Sequence, residues 1–135
     1  MDLIEDTHAG TARSAPWPLL ARLPALLAEA AGAPAAFRDL LRQAHDDLQA
    51  RFLAEEPVET LVHARAALID TVLREVWRAQ LGTAGSAWAL IAVGGYGRAE
   101  LHPASDIDLL VLVPAAVDPS GRSRIEALVA FLWDI

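Results

Sequence analysis

The sequence predicts an α/β or α+β domain, on three observations. Two amphipathic segments fill residues 34–82. A continuous apolar run, Trp88 to Val93, ends on the glycine pair Gly94-Gly95. A second apolar run, Leu109 to Val113, is preceded by Asp106-Ile107-Asp108. The order is therefore helices, strand, glycine turn, strand, helix, as in a domain caught partway through its sheet. At 135 residues the chain has the length of one domain.

Taken in order, residues 1 to about 16 are polar, with Gly10, Ser14 and Pro16, and read as a loose arm. Leu19 to Ala31 is rich in leucine and alanine. Pro18 and Pro24 interrupt it, so only a short helix is expected before Gly32. Pro34 suits the first position of the next helix. On that helix Phe37, Leu40, Leu41, Ala44, Leu48 and Phe52 recur at three- and four-residue intervals, one apolar face. Pro57 opens a third helix with the face Val58, Leu61, Val62, Ile69, Val72, Leu73, Val76 and Trp77, closed by Gly82.

Trp88 to Val93, bounded by turn residues, suits a strand buried on both faces. Asp106 to Val113 reads as a second strand, ended by Pro114 and Pro119, with Asp118 in a Pro-Ser-Gly loop. The final segment, Arg124 to Ile135, is apolar and helix-like and lacks the usual stop signals, so a fragment of a longer protein is expected. The organisation expected is an arm and short helix over 1–33, a helical segment over 34–82, and a partial sheet domain over 83–135.

Composition narrows the function. An apolar fraction of 54% excludes wholesale disorder, and the absence of cysteine excludes disulfides and thiolate metal sites. The net charge of -7 and the eleven scattered arginines, with no lysine, argue against nucleic acid as a partner. The acidic start, Met1 to Asp6, is unlike a secretory signal, and no apolar run reaches membrane-spanning length; a cytoplasmic protein with no membrane partner is expected.

The residues that point to chemistry lie between Val93 and Asp108. Strand side chains alternate, so Asp106 and Asp108 are expected on one face with Ile107 facing the core, their Cα atoms about 6.5 Å apart. Carboxylates at that spacing can bracket hard divalent cations. A solvated strand end is the commoner outcome for Asp-x-Asp alone. Gly94 and Gly95 let the chain turn without Cβ clashes and bring N–H groups to a phosphate, and a short helix over Tyr96 to Leu101 would point its N-terminus there. A plain tight turn is the alternative. Ser105 could add a hydroxyl. A P-loop needs a lysine, and a dinucleotide fingerprint needs a third glycine where Glu100 stands; both are excluded.

The combined pattern resembles the signature of the polymerase-β-like nucleotidyltransferase superfamily: apolar run, Gly-Gly, short helix, Asp-apolar-Asp. More narrowly, Gly94-Gly95-Tyr96-Gly97-Arg98, Glu100-Leu101-His102-Pro103 and Ser105-Asp106-Ile107-Asp108-Leu109-Leu110 resemble the bacterial uridylyltransferase/uridylyl-removing enzymes. That likeness is closest over about residues 88–113, extends to 51–77 and 125–135, and is absent before about residue 35. It implies the first strands of a nucleotidyltransferase sheet, truncated. It implies Asp106 and Asp108 as catalytic Mg²⁺ ligands, and Gly94, Gly95, Ser105 and Arg98 as residues around the triphosphate, although Arg98 could equally pair with Glu100. The reaction implied is transfer of UMP from UTP to a tyrosine hydroxyl of the PII nitrogen-regulatory protein, with release of pyrophosphate. A third carboxylate, the phosphohydrolase domain that removes UMP and the domains that sense glutamine as a regulator are all expected beyond Ile135. Two other readings stay open: an adenylyltransferase or stand-alone nucleotidyltransferase acting on another protein, and an inactive nucleotide sensor.

The remaining conspicuous residues read as structural. His8, His45 and His63 have no second ligand at metal spacing, and His102 lies in the signature loop without an assigned role. Trp77, Trp88 and Trp133 read as core, and Trp17 as a packing anchor. Arg38, Arg42, Arg65, Arg74 and Arg78 read as polar helix faces.

Overall fold

The computed structural model describes residues 17–135, so the arm expected before Trp17, His8 included, lies outside the described residues. The architecture is α+β: mostly helical, with one two-stranded antiparallel sheet. Helix α1 spans Pro18–Glu29, α2 Pro34–Leu53 and α3 Val58–Leu81. A 3-10 turn over Gly82–Ala87 leads into β1, Ala89–Ala92; the helical turn α4, Gly94–Gly97, follows, then β2, Leu109–Leu112, and α5, Pro119–Asp134.

Helix α1 is longer than the sequence suggests. It runs through Pro24 without a break and buries Leu19, Leu23 and Leu27, a stripe at four-residue spacing. Pro18 sits in the first turn, where its missing N–H costs nothing. The loss of one hydrogen bond at Pro24 is offset by tertiary burial of that stripe, which overrides local propensity. Ala31 and Gly32 both take positive φ, 48° and 76°, and turn the chain into α2. Trp17, ahead of α1, is the packing anchor expected: its indole N–H donates to Asp47 Oδ2 at 3.2 Å, and the Arg51 guanidinium lies 5.4 Å from its ring centroid.

Helix α3 is the spine. It buries nine residues and serves two apolar clusters. One joins α1, α2 and α5 through Leu23, Phe37, Leu48, Leu68, Val72 and Leu128. The other places Ala66, Ile69 and Leu73 against Tyr96 and Leu101, with Leu90 and Leu109 of the sheet beside them. Helix α5 joins the first cluster through Leu128 and Phe131, and Phe131 meets Phe37 edge-on at 5.2 Å.

Four expectations need correction here. Phe52 and Val58, assigned to apolar faces, are exposed at the tip of the α2–α3 hairpin, beyond the core both helices share. Trp133, read as core, is 87% exposed. It lies two residues past Phe131, roughly 200° around the helix, and so points away from the contact Phe131 makes. Strand β1 is not buried on both faces: Ala89 is exposed and Leu90, Ile91 and Ala92 are half-buried, because among the described residues the sheet has only two strands. Asp118 is not a loop residue: it caps α5, accepting from the Gly121 N–H at 2.6 Å, and Pro119-Ser120-Gly121 form the first turn. Among the described residues no helix is long and apolar enough to cross a membrane.

Candidate active site

The glycine turn and the acidic segment, ten residues apart in sequence, meet in space because β1 and β2 pair antiparallel. Ala89 faces Leu112 and Ala92 faces Leu109. One further hydrogen bond, Val93 N–H to Asp108 O at 3.1 Å, carries the pairing past the strand ends. Gly94 is thereby held directly beside Asp108. A methyl group at Gly94 would stand 2.9 Å from Asp108 Oδ2, and Gly94 has φ +61°, a conformation costly for any residue with a Cβ. Both constraints fall on Gly94, one from its backbone and one from Asp108.

Three details of this segment differ from expectation. Strand β2 begins at Leu109, so Asp106, Ile107 and Asp108 precede it rather than open it. Ile107 does not face the core as expected: it is 38% exposed and, with Leu109, lines a groove beside α2, α3 and α5, because it lies ahead of the strand, while Asp108 between them faces Gly94. The helical turn after β1 is Gly94–Gly97, not Tyr96 to Leu101; the glycines are inside it. Gly97 donates to Val93 O at 2.9 Å and Glu100 to Gly95 O at 3.0 Å, which folds the segment back on itself. Among the described residues the N–H groups of Gly94 and Gly95 have no backbone acceptor.

Arg98 lies against this turn. Its guanidinium donates to Gly94 O at 3.1 Å and pairs with Glu100 Oε2 at 3.4 Å, so the pairing with Glu100 raised from the sequence is present. Ser105 is exposed and its N–H closes a turn onto His102 O at 3.0 Å. Asp106, Asp108 and His102 are exposed as well. The structure thus brings Gly94, Gly95, Arg98 and Asp108 into one neighbourhood, with Asp106 and Ser105 on the adjoining exposed segment.

Two residues that sequence reasoning passed over anchor the turn. Tyr96 is 5% exposed and its hydroxyl donates to Asp70 Oδ1 of α3 at 2.6 Å. Burial, reinforced by the Asp70 carboxylate, pushes the Tyr96 phenol well above its usual range, against a smaller opposing pull from Arg74. The signal in the sequence was a lone tyrosine inside a glycine-rich turn, with no way to know its partner 26 residues earlier.

Among the described residues no three carboxylate or histidine side chains group as metal ligands; two acids at 106 and 108 are what this segment offers. The pocket of largest volume described, about 800 Å³, lies on the other side of Ile107 and Leu109, between α2, α3 and α5. Arg65 enters that pocket; its Nε is buried without a partner among the described residues, and burial lowers its pKa.

A glycine turn after one strand is tied here to an acidic segment before its antiparallel neighbour, and residues 77–130, which contain both, match the family described as Nucleotidyltransferase domain. More particularly, the chain is similar to bifunctional uridylyltransferase/uridylyl-removing enzymes. It is 46% identical over 101 residues to the one from Pseudomonas putida, 44% to that from Ectopseudomonas mendocina and 43% to that from Pseudomonas fluorescens. Each match covers 75% of this chain and 11% of the relative, so the chain spans about a tenth of the length of the curated relatives it matches. No solved structure matches the chain.

Proposed function

We propose that this chain supplies the nucleotide-holding half of a uridylyltransferase site, which moves UMP from UTP to a tyrosine hydroxyl of the PII nitrogen-regulatory protein and releases pyrophosphate. The observation that carries this reading is the close approach of Gly94 to the Asp108 carboxylate, which leaves no room for a Cβ and sets the glycine turn beside the acidic segment. UTP, the PII acceptor and regulation by glutamine rest on the likeness to the uridylyltransferase/uridylyl-removing enzymes.

The residues fit Mg²⁺. Asp106 and Asp108 are exposed, hard oxygen donors within three residues, and Mg²⁺ commonly takes one or two protein carboxylates and completes its shell with water and substrate phosphates. When bound, the ion neutralises charge at the α-phosphate and the departing pyrophosphate. The chain's own part is to hold and orient. Asp106 and Asp108 would hold the ion. The free N–H groups of Gly94 and Gly95 offer donors to phosphate oxygens, where a fixed donor is worth most because it needs no reorganisation during reaction. Arg98, tied to Gly94 O, places a positive charge at the rim of the same turn. Ser105 adds a hydroxyl donor beside Asp106. The base for the acceptor hydroxyl comes from a third carboxylate outside the two acids at 106 and 108.

The test uses the intact enzyme with labelled UTP, Mg²⁺ and PII. Asp106→Asn and Asp108→Asn each replace an anionic ligand by a neutral one and are expected to abolish transfer with the fold retained, as is chelation of the metal in the unaltered enzyme. Near-normal labelling by either variant overturns the ligand assignment.

A further inference from the structure

We infer that Asp70 and Tyr96 form a positioning clamp that sets the glycine turn relative to the acidic segment, so that α3 governs how tightly the site holds nucleotide. The inference rests on the reading of Gly94, Gly95, Asp106 and Asp108 as the nucleotide site, and adds two residues to which neither the motif nor the family match assigns a role.

The geometry is specific. The turn Gly94–Gly97 has a single large side chain, Tyr96, and glycines at its other three positions. Glycines give the turn its close approaches but no side chains with which to fix itself to the rest of the protein. Tyr96 alone can do that. Its ring packs in the cluster formed with Ala66, Ile69, Leu73 and Leu101, and its hydroxyl reaches Asp70 on the same face of α3. Helix α3 is itself held by burial against two apolar clusters, so Asp70 offers the turn a fixed point of attachment. Asp70, Arg74 and Tyr96 also line a cavity of about 340 Å³ beneath the sheet, together with Trp77, Trp88 and Leu90. The hydrogen bond thus lies in the wall of this cavity, and it fixes a direction for the Tyr96 ring that apolar contact alone does not.

Tyr96 and Asp70 do not face the acids, so neither is a catalytic residue. They act through Gly94, two residues before Tyr96, which abuts Asp108. Loosening the turn lets Gly94 and the Gly95 N–H drift relative to Asp108. Because the site depends on simultaneous contact with phosphate and metal, a displacement of an ångström is enough to cost up to about 100-fold in rate.

The experiment measures kcat and KM for UTP, together with the thermal midpoint, for Tyr96→Phe, Asp70→Ala, Asp70→Asn and the Tyr96→Phe/Asp70→Ala pair in the intact enzyme. Tyr96→Phe keeps the ring and removes only the hydroxyl; Asp70→Asn keeps an acceptor for it. Expected are a loss in kcat/KM of about 10- to 100-fold for Tyr96→Phe and for Asp70→Ala, with KM rising. Asp70→Asn recovers most of that loss, and the double variant is no worse than the worse single one, because both remove the same bond. Wild-type kcat and KM in Tyr96→Phe overturn the clamp, as does a variant whose midpoint falls while its folded fraction keeps the wild-type KM. Should Tyr96→Phe fail to fold, the Asp70 pair decides alone: equal loss in Asn and Ala, or loss in neither, overturns it. Asp108→Asn, run alongside, separates the two readings. If Asp108→Asn is inactive and Tyr96→Phe is normal, only the clamp fails; if Asp108→Asn is active, the site reading fails and the clamp with it.

Discussion

At the scale of single residues, Gly94 is the position where conformation and chemistry coincide. Its φ of +61° asks for glycine, and a Cβ there meets Asp108 Oδ2 at 2.9 Å. Gly95 lacks the positive φ, and a methyl group on it would meet the backbone oxygen of Glu100 at 3.1 Å. Gly94→Ala is thus expected to cost about 1–2 kcal/mol for the left-handed conformation, and to reduce transfer far more, because the Asp108 carboxylate must move aside. Paired measurements of denaturant midpoint and nucleotide KM check this. A midpoint shift with unchanged KM shows that the glycine serves the turn and not the site. Arg98 illustrates the converse case. Two local partners, Gly94 O and Glu100, already hold its guanidinium, so any role toward phosphate is shared with a role in bracing the turn.

At the scale of elements, the caps and breaks decide where the site residues fall. Asp118 is spent on the N-terminus of α5, where its Oδ1 takes the Gly121 N–H and a methyl group on Gly121 would stand 3.0 Å away. This fixes its role as structural and removes it from any search for a third catalytic carboxylate. Asp118→Ala is expected to lower stability by about 0.5–2 kcal/mol while leaving transfer kinetics unchanged. Loss of transfer at full stability in that variant contradicts the assignment. The ends of β1 and β2 matter in the same way. Because the ladder stops at Ala92 and Leu109, Asp106 and Asp108 sit on exposed chain ahead of the strand, where their side chains stay open to solvent.

At the scale of the whole molecule, the described residues leave considerable apolar surface open. Leu110 and Leu112 of β2 are 47% and 50% exposed, Leu53 is 73% exposed, and both outer strand edges are unpaired among the described residues. Unpaired edges and exposed apolar side chains favour association. Residues 1–135 alone are therefore expected to self-associate and to give no detectable transfer from UTP to PII. The proposed reading takes the base from a third carboxylate besides Asp106 and Asp108, and losing a general base typically costs about 10²–10⁴-fold by itself. Sedimentation of the isolated chain and a labelling assay beside the intact enzyme check both halves. Labelling at a rate comparable to the intact enzyme shows that the site closes within these residues.

What was legible from the sequence is what depends on neighbours along the chain. The helices over 34–82, the apolar run into Gly94-Gly95, the runs on either side of Asp106 to Asp108, and the Gly82 stop all follow from periodicity, apolar content and turn chemistry, which are local. The α+β class follows from their order. What only the tertiary structure decided depends on partners distant in sequence. Helix α1 survives Pro24 because Leu19, Leu23 and Leu27 find a core to fill. Trp133 is exposed because Phe131 sets the rotation of α5 against Phe37. The join of Gly94 to Asp108 needed the register of β1 against β2, and the Tyr96–Asp70 bond needed α3 laid beneath the turn. Local propensities fix how each segment prefers to fold; which side chains then meet is settled by burial and geometry between segments.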